Sequence, residues 1–174
     1  ENNKSNFARN VVMGINFLNA IVIEQGIIDR GVILTRLNQN VISALSHADT
    51  HLQDKDGMDI SLCVFDPKEM KLEWAGAYNP LYLIRNGELT EYKANKMPIA
   101  IHMIDHLPFT NHEIDVQKGD TFYISSDGYS DQFGGADGRK FMSKNYKEML
   151  LRIWDKPMEE QREIIQKAHL DWKG

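Results

Sequence analysis

The apolar residues of this chain change their spacing twice, and that order constrains the fold more than any single motif. Val11, Ile15, Leu18 and Val22 recur at intervals of three and four, and Leu34, Leu37, Val41, Leu45 and Ala48 repeat the pattern. Such spacing draws one apolar stripe along a helix. It predicts helices over Val11–Gln25, ended by Gly26, and over Gly31–Ala48. From Ile60 the period falls to two. Ile60, Leu62 and Val64 alternate with Asp59, Ser61 and Cys63, and Leu72, Trp74 and Gly76 follow the turn Asp66-Pro67-Lys68-Glu69. Period two is that of a strand with one buried face. Leu81–Arg85 and Leu89–Lys93 flank Asn86-Gly87, a pair suited to a type I′ hairpin turn because both central residues need positive φ. Glu113–Gln117, the turn Lys118-Gly119-Asp120 and the β-rich Thr121–Ser125 extend the series. The helical period then returns through Phe141, Tyr146, Met149, Leu150 and Ile153, and again behind Pro157 through Met158, Ile164, Ile165 and Ala168.

Helices, then strands, then helices predict an α+β domain, with a mainly antiparallel, hairpin-connected sheet packed by helices. The 174 residues suit one domain, 1–174, and no repeat or long linker divides them. With 42% hydrophobic and 26% charged residues the chain is globular in composition. The formal net charge of −5 argues against a nucleic-acid module, whose phosphate contacts need a basic face. No apolar run approaches the roughly 20 residues of a membrane span. The single Cys63 excludes an internal disulfide and a four-cysteine zinc site. Glu1–Asn10 is polar, without the apolar core of a secretion signal, so a cytoplasmic setting is expected.

The segment richest in chemistry is Tyr123-Ile124-Ser125-Ser126-Asp127-Gly128-Tyr129-Ser130-Asp131, where an apolar strand ends at an acid followed by glycine. That order carries a carboxylate to the rim of the sheet, and Gly128 lets another group approach the backbone. Oxygen ligands of this kind suit Mg²⁺ or Mn²⁺. Asp-Gly is also ordinary turn chemistry, which is the plainer reading of the same pair. Among other candidates, His102, His106 and His112 are spaced like metal ligands but share no helical stripe and read as solvated loop imidazoles. Cys63 reads as a small packed or edge residue, and Met142, Met149 and Met158 as core filler. Gly134-Gly135-Ala136-Asp137-Gly138 lacks the Lys-Ser/Thr of a P-loop and reads as a flexible flap, with Arg139 and Lys140 as either phosphate-docking cations or, the plainer reading, a solvated face.

Several segments together resemble a known family. Asp56–Asp66 is similar to the central strand of the stage II sporulation protein E-like branch of the PPM, or type 2C, phosphatases. Ala75-Gly76-Ala77-Tyr78-Asn79-Pro80 resembles that branch's Ala-Gly-x-x-Asn-Pro. Met97-Pro98-Ile99-Ala100, Lys118-Gly119-Asp120-Thr121 and Ser126-Asp127-Gly128 follow in the family order, and the likeness spans about Val11 to Gly174. The resemblance implies a metal-dependent phosphoserine/phosphothreonine phosphatase with the PPM α/β sandwich. It implies two Mn²⁺ or Mg²⁺ ions and an attacking metal-bound water. The substrate it implies is a phosphorylated bacterial regulatory protein, of the sigma-factor partner-switching kind, and the domain could be a homodimer. In such relatives the two helices matching Val11–Gln25 and Gly31–Ala48 act as a switch.

Asp127 matches the family's metal-binding aspartate, with Asp131 and Gly128 as supporting rim residues. The family's upstream Gly-Asp and Asp-x-x-Gly-His-Gly have no counterpart before the first helix, and its Asp-Asp pair is expected just after Trp172-Lys173-Gly174. The metal site of this chain is therefore expected to be incomplete, as in a core fragment of a phosphatase. A non-catalytic pseudophosphatase or binding module is the other reading.

Overall fold

The computed structural model describes residues 2–47, 57–99 and 107–174. In chain order the elements are α1 (Asn2–Asn19), a π-helical turn (Ala20–Glu24), α2 (Arg30–His47), β1 (Ile60–Asp66) and β2 (Lys71–Ala77). They continue with β3 (Leu81–Arg85), β4 (Glu88–Tyr92), β5 (His112–Asp115), β6 (Thr121–Ile124), β7 (Phe133–Gly134) and β8 (Arg139–Lys140). Helices α3 (Ser143–Ile153) and α4 (Met158–Lys173) close the series. The fold is α+β, and every pairing between these strands is antiparallel, as the hairpin-rich sequence predicts. The chain groups into two compact units, Glu1–Pro80 with Lys93–Val116, and Leu81–Tyr92 with Gln117–Gly174.

In the first unit, strands β1, β2 and β5 form one sheet in that order. Its core joins Ile21, Ile33, Leu34, Leu37 and Val41 of the helices to Ala75 and Ala77 of β2. The α2 stripe lies inward as its spacing predicts, with Ala48 outside the described residues. Helix α1 differs. Ile15 and Val22 of the predicted stripe are 53% and 41% exposed, and the inward side carries Gly14, Phe17, Leu18 and Ile21. Apolar residues ring this helix, Val12 and Ile23 among them, so spacing alone does not choose a side. Gly14 lies on the buried side, where a Cβ would stand 2.9 Å from Cε, the flexible end of Met58. Val64 likewise departs from its expected burial, because the helical layer covers edge strand β1 at Ile60 and Leu62 only.

The Ala-Gly-x-x-Asn-Pro segment has a steric explanation. A Cβ on Gly76 would lie 2.5 Å from Trp74 Cζ2 and 2.7 Å from the Asn79 carbonyl oxygen, so only glycine fits. Trp74 is fully buried and its indole N–H donates to Ser61 Oγ at 2.7 Å. The start of α2 is seated as tightly. A Cβ on Gly31 would meet the Phe109 carbonyl oxygen at 2.4 Å, and Arg30, 8% exposed, pairs with Glu73 at 2.8 Å.

In the second unit the strand order is β4-β3-β6. Asn86 and Gly87 have φ of 50° and 80°, the two positive values of the predicted turn. Tyr82 and Ile84 of β3 pack with Tyr146, Met149 and Leu150 of α3. Phe141 lies before α3 rather than in it, since Met142 takes a φ of 73° that the helix cannot continue. Met149 is core filler; Met142 and Met158 are not, being 57% and 64% exposed at the starts of their helices.

Candidate functional site

Strand β6 enters the site from a clamp. Its preceding residue, Asp120, has a side chain 1% exposed and accepts both Arg85 Nε–H and Arg85 Nη2–H, at 2.8 and 2.6 Å. The guanidinium bond holds this carboxyl below its ordinary value. Along the strand, Tyr123 donates its hydroxyl to Gln161 Oε1 on α4 at 2.7 Å, and burial pushes that phenol up to about 12. Gln161 is 2% exposed, and its amide group donates to the Trp154 and Lys156 carbonyls. A buried amide with partners on both its oxygen and its nitrogen costs little to bury.

Past Ile124 the chain turns outward, and Asp127 is exposed at that turn. Its main-chain carbonyl accepts the Asp131 N–H and the Ser130 hydroxyl, both at 2.9 Å. Its carboxylate has no hydrogen-bond or ion-pair partner among the described residues. Gly128 is open: a Cβ there would touch only Ser126 Oγ, at an ordinary 3.5 Å, so the glycine keeps the approach clear without being required by packing. Asp131 is tied to Lys140 at 2.7 Å, which engages one of the two cations proposed for docking. An open groove of about 560 Å³ runs beside the turn, between Ser126 and Gly128 and the α4 residues Met158, Arg162 and Ile165.

The flap expected at Gly134–Gly138 is instead a fastened hairpin. Gly135 N–H donates to the Trp172 carbonyl at 2.8 Å, and Trp172 Nε1–H donates to the Gln132 carbonyl at 3.0 Å. A Cβ on Gly134 would fall 1.7 Å from the Trp172 carbonyl oxygen, so these glycines serve close packing on α4. His112 sits on β5 in the first unit, its ring 5.1 Å from that of Trp74, and burial lowers its pKa. His102 and His106 lie outside the described residues. Cys63 is half-buried on edge strand β1, and burial raises its thiol pKa, the opposite of activation.

The exposed oxygen donor of Asp127 has the chemistry of a ligand for a hard divalent ion. Among the described residues no three His, Cys, Asp or Glu side chains cluster as a metal site would require. No described helix is long and apolar enough to cross a membrane. Sequence reasoning missed the residues that hold this turn in place: Asp120, Gln161, Tyr129 and Trp172. Tyr129 and Trp172 stand out only as aromatic residues in polar segments, and Asp120 and Gln161 carry no local signal of the role they play.

The stage II sporulation protein E (SpoIIE) family model matches residues 12–173. No curated protein is a significant sequence match. Among solved structures, the SiaA-PP2C domain of Pseudomonas aeruginosa is similar at 27% identity and a TM-score of 0.80, over 96% of this chain and 62% of that one. The PP2C phosphatase domain with a regulatory fragment of the cell fate determinant SpoIIE from Bacillus subtilis matches at 15% identity and a TM-score of 0.66, over 90% of this chain and 43% of that one. A crystal form of the SpoIIE phosphatase domain without domain swapping matches at 18% and 0.56, over 94% and 67%. The chain thus spans 62% and 43% of the first two of these structures.

Proposed function

Because the chain belongs to the stage II sporulation protein E family, we propose that it forms one type 2C serine/threonine phosphatase domain. Its proposed substrate is a phosphorylated bacterial regulatory protein of the sigma-factor partner-switching kind. The observation that carries the reading is the Asp127 carboxylate, exposed and unpaired among the described residues at the end of β6. Asp127 would hold Mn²⁺ or Mg²⁺ as one ligand among several. Such an ion, when bound, lowers the pKa of water and offsets phosphate charge. The chain's own part is to present the carboxylate, to engage Asp131 with Lys140 so that one acid is left for ligation, and to leave the Gly128 side open. No side-chain nucleophile is needed, which agrees with a raised Cys63 pKa.

The test is hydrolysis of a phosphoserine peptide by the full-length protein with added Mn²⁺. Asp127→Asn is expected to cost more than the roughly 10–100-fold lost when a mere supporting residue of a metal site is removed. Parental activity in that variant would refute Asp127 as a ligand. Tight phosphopeptide binding with no turnover under any divalent ion would favour the non-catalytic module.

A further inference from the structure

We propose that Tyr129 is the positioning residue of the Asp127 turn: it ties that turn to α4 across the open groove and so sets where the Asp127 carboxylate stands. The inference rests on Asp127 as the site carboxylate. Ser126, Asp127 and Gly128 are exposed, and the groove lies between this stretch and α4. Tyr129 lines the same groove and reaches α4. Its hydroxyl donates to the Ile165 carbonyl of α4 at 2.9 Å and stands 3.5 Å from Met149 Sδ. Its ring packs against Phe141, Tyr146 and His169, with centroids 5.3, 5.1 and 5.3 Å away. Among the described residues this is the one hydrogen bond from the segment Ser125–Asp131 to α4.

The turn is internally closed, since the Asp127 carbonyl takes two donors from Ser130 and Asp131. Downstream, Met142 N–H donates to the Ser130 carbonyl at 2.8 Å. Loss of the Tyr129 hydroxyl therefore lets the turn shift away from α4 and open more often, the Asp131 N–H to Asp127 carbonyl bond included, while the rest of the fold persists. A shift of that kind moves the carboxylate relative to whatever it binds while leaving the fold intact, and misplacement by about 1 Å can cost on the order of 100-fold in rate.

Tyr123 supplies the matched control. It too gives a hydroxyl hydrogen bond to α4, to Gln161, but from within β6. Tyr129→Phe, Tyr123→Phe and Asp127→Asn are compared in the full-length protein by phosphoserine-peptide kinetics with Mn²⁺, thermal midpoint and amide hydrogen exchange. Tyr129→Phe is expected to lower kcat about tenfold with KM nearly unchanged, as for loss of a transition-state interaction. Exchange over residues 125–131 should quicken about tenfold, with a midpoint no lower than that of Tyr123→Phe. Equal kcat in the two phenylalanine variants, or unchanged exchange in the turn, overturns the proposal. If Asp127→Asn keeps parental activity, the site reading fails; if it is inactive and Tyr129→Phe behaves as Tyr123→Phe, only the positioning role fails. The exchange measurement needs no turnover and decides the tether by itself.

Discussion

Helices α2 and α4 are held by different kinds of contact. Helix α2 lays an aliphatic stripe, Ile33, Leu34, Leu37 and Val41, on Ala75 and Ala77, and its first turn closes on a glycine with no room for a methyl group. Helix α4 packs Ile165 and Ala168 on the apolar cluster of α3 and β3 and adds three side-chain hydrogen bonds: Tyr123 to Gln161, Tyr129 to the Ile165 carbonyl, and Trp172 to the Gln132 carbonyl. Shape complementarity in the first case resists change steeply, since overpacking costs about 1–3 kcal/mol or more. Each tether contributes about 1 kcal/mol. The turn that carries Asp127 lies beside α4. Its geometry is therefore adjustable by small substitutions that the fold survives, whereas the first unit tolerates few.

The sharpest way to break this contrast is Gly76→Val. Two contacts under 3 Å, one of them to main chain, predict a loss of about 3 kcal/mol or outright failure to fold, read by urea unfolding. A loss under about 1 kcal/mol would show that the first unit is as compliant as the second.

Next in size is Asp120→Asn, which leaves Arg85 without its carboxylate and should cost about 2 kcal/mol. The sign with pH follows from a pKa depressed below the ordinary 3.8. The pair's stabilisation is complete above that value and is lost as pH falls through it toward the folded-state pKa. The parent should therefore lose stability below about pH 4 more steeply than Asp120→Asn does.

Trp172→Phe removes one indole donor and should cost about 1 kcal/mol while speeding exchange at Gly135. The smallest effect concerns His112. Burial lowers its pKa from 6.5, so the folded chain favours neutral imidazole, and stability should decline as pH falls below that value. His112→Phe should flatten that slope, by less than about 1 kcal/mol.

What the sequence revealed depended on how local the cause was. The Asn86-Gly87 hairpin was legible because two adjacent residues carry the required φ values. The α2 stripe was legible because only one of its sides is apolar. Helix α1 was not, because apolar residues surround it and only its tertiary packing through Phe17, Leu18 and Ile21 selects the buried face. The position of Asp127 could be read from an apolar run ending in Ser-Asp-Gly, and the order of family-like motifs pointed to the phosphatase fold. Its supports could not. Arg85 with Asp120, Tyr129 with Ile165 and Gln132 with Trp172 join residues 35 or more apart in sequence. For the same reason a run of glycines read as a flap, when Gly134 and Gly135 let the β7 end of the hairpin close on Trp172.

The most direct measurement sets the two acids of the turn against each other. Mn²⁺-dependent release of phosphate from a phosphoserine peptide is compared for Asp127→Asn and Asp131→Asn in the full-length protein. The structure predicts background rates for the first and rates within about threefold of the parent for the second, whose partner is an exposed lysine. Full activity in Asp127→Asn, or inactivity confined to Asp131→Asn, would contradict the assignment of Asp127 as the carboxylate that serves the reaction.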